Sequence, residues 1–207
     1  MSEGGRGISF SAGHELLPDA HRRLVDKRPG RILLLNGASS SGKSTLAAAL
    51  LDVFPNPWSL MAIDDFHHHR ARKPMSEADF APIFQTTVLG FHRAVAGLAS
   101  AGNDVVVDHI LGERWRLRDC AAVFEGYPAY LVGVHCALEE LNRRERDRGN
   151  RQIGRAGFQL PLVHAHGRYD IEVDTTSADP HALAVEIVEH VQRQPPVAFA
   201  WLRSSWS

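Results

Sequence analysis

Cysteine is nearly absent: Cys120 and Cys136 are the two thiols in 207 residues. One lies in a stretch that reads as a helix and the other at the end of an apolar strand, so no disulfide framework is expected. Two reduced, structural thiols in a reducing compartment fit this usage. Charge of one sign is missing too. The 23 basic and 24 acidic side chains leave a formal net charge of -1, which removes any global field for nucleic acid or an anionic membrane. No apolar run has the length of a membrane span, and the first residues lack the basic-then-apolar pattern of a secretion signal. Neither membrane nor nucleic acid is therefore an expected partner, and the cytoplasm is the expected location. Internal repeats are absent, and so is any N-K-x-D segment, the guanine-reading element that a GTPase switch needs.

What is present is the composition of a globular domain: 44% hydrophobic and 23% charged residues, in a chain long enough for one sizeable core. Residues 1–30 carry Gly4, Gly5, Gly7, Gly13, Pro18 and Pro29 without a sustained period and read as an extension ahead of that core. From Arg31, short apolar runs alternate with amphipathic stretches, the pattern of βαβ units and a mostly parallel sheet, so the fold class is α/β. Five strands are expected, at Arg31–Asn36, Ser59–Ile63, Asp104–Asp108, Ala129–Cys136 and Asp170–Asp174. Helices should begin near Lys43, Pro82, Glu113, Leu138, Phe158 and Pro180. The domain thus runs over residues 31–193. In the tail, 194–207, Pro195 and Pro196 break the last helix, and Trp201 and Trp206 are expected to pack on the domain or on a partner.

The strongest signal follows the first strand. Gly37, Ala38, Ser39, Ser40, Ser41, Gly42, Lys43 and Ser44 match G-x-x-x-x-G-K-[ST], with Thr45 next and an Ala/Leu-rich helix opening behind them. Glycines let such a backbone curl so that successive N–H groups point at phosphate oxygens, and the helix N-terminus adds its partial positive charge. Lys43 would reach the β- and γ-phosphates of ATP, and Ser44 would offer its hydroxyl to Mg²⁺. The plain alternative, a Gly/Ser turn that merely joins strand to helix, does not account for the lysine and hydroxyl at these spacings.

Ligands of open parallel sheets sit beyond the carboxyl ends of the strands, which directs attention to Ile63-Asp64-Asp65 and to Val107-Asp108-His109. Asp108 ends an apolar strand in the Walker B manner and is the expected Mg²⁺-orienting carboxylate, with Ser44. Asp64 is then free to accept a hydrogen bond from an acceptor hydroxyl and take its proton. The competing role, capping the next segment, suits Asp65 better than Asp64. The run His67-His68-His69-Arg70 reads as a solvated or substrate-facing loop and not as a metal site, since three consecutive residues cannot all face one ion.

Residues 143–156 read as an arginine-rich lid hinged at Gly149 and Gly154. Closing over a nucleotide, such a segment excludes water and brings guanidinium groups to the transferring phosphoryl group. Arg148 and Arg151, which flank Gly149, are the expected phosphate contacts. Arg143, Arg144 and Arg146 are read as a solvated helix face paired with Glu139, Glu140, Glu145 and Asp147. RNA binding is disfavoured because no aromatics interleave with the arginines.

Taken together, the sequence resembles the chloramphenicol phosphotransferase family, small P-loop kinases that phosphorylate the antibiotic's primary hydroxyl. The likeness covers about Arg31 to Val191 and rests on Ile32-Leu33-Leu34-Leu35-Asn36-Gly37, Phe54-Pro55-Asn56-Pro57-Trp58, Arg148-Gly149-Asn150-Arg151, Val163-His164 and Tyr169 through Thr176. It implies a parallel sheet of order 2-3-1-4-5 with helices on both faces. It also places the family's catalytic aspartate on Asp64 and its lid arginines on Arg148 and Arg151. One departure concerns the acceptor. After Asp64 this chain reads Asp65-Phe66-His67-His68-His69-Arg70-Ala71-Arg72-Lys73-Pro74, far more basic than the apolar family segment, so an acceptor with an anionic or polar nucleoside part suits it better than chloramphenicol. The expected activity is ATP-dependent phosphorylation of a hydroxyl on an antibiotic-like natural product, for resistance or self-protection. A metabolic kinase for a sugar acid, a shikimate-like acid or a nucleoside is the alternative, and a nucleotide-gated regulatory protein is the alternative of another class. A homo-oligomer is compatible with all three.

Overall fold

Strand β1 (Ile32–Asn36) is buried at every position, as an apolar run without alternation must be when helices cover both faces of its sheet. Its neighbours are β3 (Asp104–His109) and β4 (Ala129–His135), both parallel to it. Beyond β3 lies β2 (Trp58–Ala62), and beyond β4 lies β5 (Ile171–Asp174), again parallel. The sheet order is therefore 2-3-1-4-5, as the family resemblance implied. The structure is a computed structural model that describes residues 28–70, 73–148 and 154–206, with the side chain of Arg148 outside the description.

Successive β1 side chains divide between two layers. Leu33 and Leu35 join Leu46, Leu50, Val106, Val132 and Ile187 under α1 (Lys43–Val53) and α7 (Pro180–Arg193). On the opposite face Ile32 and Leu34 meet Phe91, Val95, Val107, Leu117 and Phe124, covered by α3 (Glu77–Ser100) and α4 (Arg114–Val123). Burial of each such Leu, Val or Phe contributes about 1.5–3 kcal/mol. Both cysteines are buried and unpaired, and burial raises the Cys120 thiol well above its ordinary pKa.

The sequence reading and the structure differ at four places. The helix expected near Pro82 begins five residues earlier, because Ser76 caps it by accepting from the Asp79 N–H at 3.2 Å; Pro82 lies inside it. The helix expected near Phe158 begins at Arg155 as α6 (Arg155–Val163), entered from Gly154 at φ +90°. Ile63, taken as the end of β2, opens a short helix α2 (Ile63–His68) that also absorbs His67 and His68 of the expected loop. After α7 the tail forms α8 (Ala198–Ser205), whose Ala198, Phe199 and Leu202 are buried in the core. Asp170 holds that tail in place, accepting from the N–H groups of Val197 at 2.6 Å and Ala198 at 2.9 Å, while its other oxygen accepts from Leu131 N–H at 2.7 Å.

Candidate active site

The crevice sits where the sheet order turns back on β1, beyond the carboxyl ends of β1, β3 and β2. The loop from Gly37 to Gly42 curls there for steric reasons visible at two glycines. A Cβ on Gly37 would lie 2.4 Å from the Val134 carbonyl oxygen, and Gly42 adopts φ +84°. Ser40 also takes the left-handed conformation, at φ 62°, a strained state for a residue with a Cβ.

Fixed partners hold this loop from outside. Thr175, just past β5, donates its hydroxyl to the Ser41 carbonyl at 2.7 Å. The Arg144 guanidinium, from α5 (Leu138–Arg148), donates to the Thr175 carbonyl at 2.6 Å and more weakly to the Ser40 carbonyl at 3.4 Å, while Glu140 accepts from its Nε at 2.7 Å. With these carbonyls tied outward, the loop can turn N–H groups inward. Lys43, 6% exposed, folds back to donate to the Gly37 and Ala38 carbonyls at 3.0 and 2.8 Å. The Ser39 N–H donates to the Gln159 side chain of α6 at 2.8 Å.

Ser44 donates its hydroxyl to Asp108 Oδ2 at 2.6 Å. Two hard oxygen groups thus converge from α1 and β3, which fits Mg²⁺, an ion that takes few protein oxygens and retains water. Among the described residues no group of three or more His, Cys, Asp and Glu side chains is placed to hold a metal. Asp64 stands in the first turn of α2, exposed, and lines a cavity of about 280 Å³ together with Lys43, Ser44, Asp108, Ser40 and Asp65. A second cavity, about 390 Å³, opens on the other side of the loop and is bordered by Gly42, Thr45, Leu46, Arg144, Thr175 and Pro180.

The structure therefore brings together Gly37 through Thr45, Asp108 and Asp64. Of the lid arginines, Arg151 and the side chain of Arg148 lie outside the described residues, as do residues 1–27 of the N-terminal extension. The described ends of the segment expected to form a lid are joined by Glu145, whose buried carboxylate accepts from the N–H groups of Gly154 and Ala156, each at 2.8 Å. This corrects the reading of Glu145 as a surface pairing partner. Arg144 is corrected likewise: it belongs to the loop's support and not to the solvated face, where Arg143 does sit, paired to Glu140 and Asp147 at 2.7 Å. Sequence reasoning missed Arg144 and Gln159 as site residues and left Thr175, at a strand's carboxyl end, unassigned between a structural role and a place near the adenine.

The sequence model for chloramphenicol phosphotransferase-like proteins matches residues 30–192. The chain belongs to that family. It is thereby a small-molecule kinase. A relative from Mycobacterium tuberculosis, named "Putative O-phosphotransferase", is 34% identical over 198 residues, covering 84% of this chain and 88% of the relative. Among solved structures, the APS kinase CysC of Mycobacterium tuberculosis, in complex with AMPPNP and APS, superposes with a TM-score of 0.63 at 19% identity, covering 79% of this family member and 98% of that chain. A sugar kinase of Janibacter sp. gives 0.59 at 20% identity, covering 82% and 99%. These two likenesses bear on the fold, which is that of the P-loop kinases.

Proposed function

We propose that the protein transfers the γ-phosphoryl group of Mg·ATP to a hydroxyl of a small natural product of antibiotic type, in the cytoplasm, for resistance or self-protection. The observation that carries this reading is the meeting of Lys43, Ser44, Asp108 and Asp64 around one cavity at the carboxyl ends of β1, β3 and β2. The loop amides and Lys43 bind the phosphates, and the cavity beside Arg144 and Thr175 suits the adenosine part. Ser44 and Asp108 would hold a hydrated Mg²⁺, which would supply neutralisation of phosphate charge. Asp64 accepts the hydrogen bond of the acceptor O–H and receives its proton as oxygen bonds to phosphorus and the bond to the β–γ bridging oxygen breaks, releasing ADP. Arg148 and Arg151 complete the proposal as lid cations over the transferring group.

A second reading, a metabolic kinase for a sugar acid or similar molecule, is favoured by the cationic side chains Arg70 and Arg116 beyond Asp64. Incubation of the purified protein with Mg·ATP and a panel of hydroxylated antibiotics, nucleosides and sugar acids, read by mass spectrometry, tests both. A product heavier by one phosphoryl group on an antibiotic supports the first reading. Products confined to sugar acids or nucleosides move the protein to the metabolic kinases, and ATP binding without any product sinks the kinase mechanism for the whole panel.

A further inference from the structure

Beyond Asp64 the chain assembles a group of side chains that the phosphoryl-transfer machinery does not use. His67 follows Asp64 by three residues on α2, hence on the same helix face. Its ring stacks on Phe84 of α3, with centroids 4.8 Å apart and planes 9° from parallel. The Arg116 guanidinium of α4 lies 5.0 Å from the centroid of that same Phe84 ring. Four residues earlier on α3, Phe80 carries the Arg70 guanidinium at 4.9 Å, and Arg70 also donates to the Thr87 hydroxyl at 3.2 Å. The two phenyl rings, 5.9 Å apart, form an aromatic platform in contact with two guanidinium groups and an imidazole.

The charge on this platform is unbalanced. Arg116 is already engaged, by Glu113 through Nε at 2.8 Å and Nη2 at 2.7 Å and by the Ile110 carbonyl through Nη1 at 3.2 Å, whereas Arg70 has a hydroxyl and a ring face but no carboxylate partner among the described residues. Burial lowers the pKa of His67 and the field of Arg70 lowers it further, opposed by the Asp64 carboxylate, with Arg116 a weaker contributor. His67 Nδ1 is buried and has no hydrogen-bond partner. A guanidinium fork without a carboxylate and an unsatisfied ring nitrogen beside an aromatic surface suit a planar or tetrahedral oxyanion, because the fork matches two of its oxygens. Burying an unpaired polar atom costs free energy that a ligand would restore.

We infer that the acceptor carries an oxyanion, a carboxylate or a phosphate or sulfate ester, seated on Arg70 beside His67 and the Phe80 ring. This deepens the proposed kinase function and rests on it only in naming the bound molecule as the acceptor.

The test reads anion binding without turnover. With the P-loop filled by Mg·AMPPNP, sodium acetate, inorganic phosphate and sulfate are titrated separately while the Arg Nε–H signals are followed by NMR. Saturable shifts of the Arg70 signal are expected, together with at least a tenfold weaker binding in Arg70→Gln. Saturation by acetate points to a carboxylate acceptor, and saturation by phosphate or sulfate points to an ester. Unsaturable shifts with all three anions, or identical titrations of the remaining signals in Arg70→Gln, overturn the inference whether or not any acceptor is phosphorylated. In a turnover panel of matched acceptors, exclusive phosphorylation of the neutral member of each pair also overturns it while leaving the kinase reading intact.

Discussion

The two ends of the crevice are built differently. At the nucleotide end of the proposed site the geometry comes from backbone: Gly37 permits a close approach to Val134, Gly42 takes a left-handed φ, and loop carbonyls are tied down by Thr175 and Arg144. At the proposed acceptor end it comes from side chains on and just after α2 and on α3 and α4, held over aromatic faces with few hydrogen bonds among them. A backbone cradle recognises a group common to every reaction of a P-loop kinase and tolerates little change. Side chains on a short helix can be exchanged without disturbing the sheet, which is where a family can vary its acceptor.

Mutations should separate these ends. The largest effect is expected from Asp64→Ala, about 10²–10⁴-fold in kcat with ATP affinity kept within about twofold, because the base acts on the hydroxyl and not on the nucleotide. Loss of ATP binding in that variant, measured by calorimetry, would assign Asp64 to the nucleotide end. Lys43→Ala should lower kcat/KM for ATP about 10²–10³-fold, the cost of removing one charged donor from a phosphoryl-transfer site; an unchanged value would break the cradle description. Arg144→Ala removes three donors to the loop and its neighbour, Ser40 and Thr175. Since a hydrogen bond to a charged group contributes about 1.5–3 kcal/mol, ATP Kd should rise at least tenfold with little change in acceptor KM. The opposite split would place Arg144 at the acceptor end.

A smaller effect concerns pH. Burial first, then His135, His166 and Lys43, lowers the His164 pKa from its ordinary 6.5 to about 4. In the window between these values the unfolded chain binds a proton that the folded chain does not, so stability is full above pH 6.5 and declines as pH falls toward 4. Thermal midpoints measured from pH 7.5 down to 4.5 should fall, and fall less steeply in His164→Gln; parallel profiles for the two proteins would remove His164 as the cause. The smallest effect is on stability alone. Asp170→Ala leaves the Val197, Ala198 and Leu131 amides without their acceptor and should lower stability by about 1–3 kcal/mol in denaturant titrations, with ATP affinity unchanged.

Much of this arrangement was legible in the residues. The apolar runs marked all five strands to within one residue at each end, because strands covered on both faces leave few polar positions to blur the pattern. The segment from Gly37 to Thr45 is readable because one turn of backbone sets its geometry locally. Arg144 was not readable: an arginine four residues after Glu140 has the spacing of an ordinary surface pair, and here it makes that pair while also clamping the loop. Nor was α2, since Ile63 continues the apolar run of β2 and six residues carry too little period to announce a helix.

The amino-acid sequence by itself determined the strands, the phosphate loop and the acidic residues that close β2 and β3, since each depends on neighbours within a few positions. Only the tertiary structure decided what lies across the crevice. It set Ser44 against Asp108, Arg144 and Thr175 against the loop, Arg70 and Arg116 over Phe80 and Phe84, and α8 against the core. These are contacts between residues far apart in the chain, fixed by sheet order and helix packing and without a local period to reveal them.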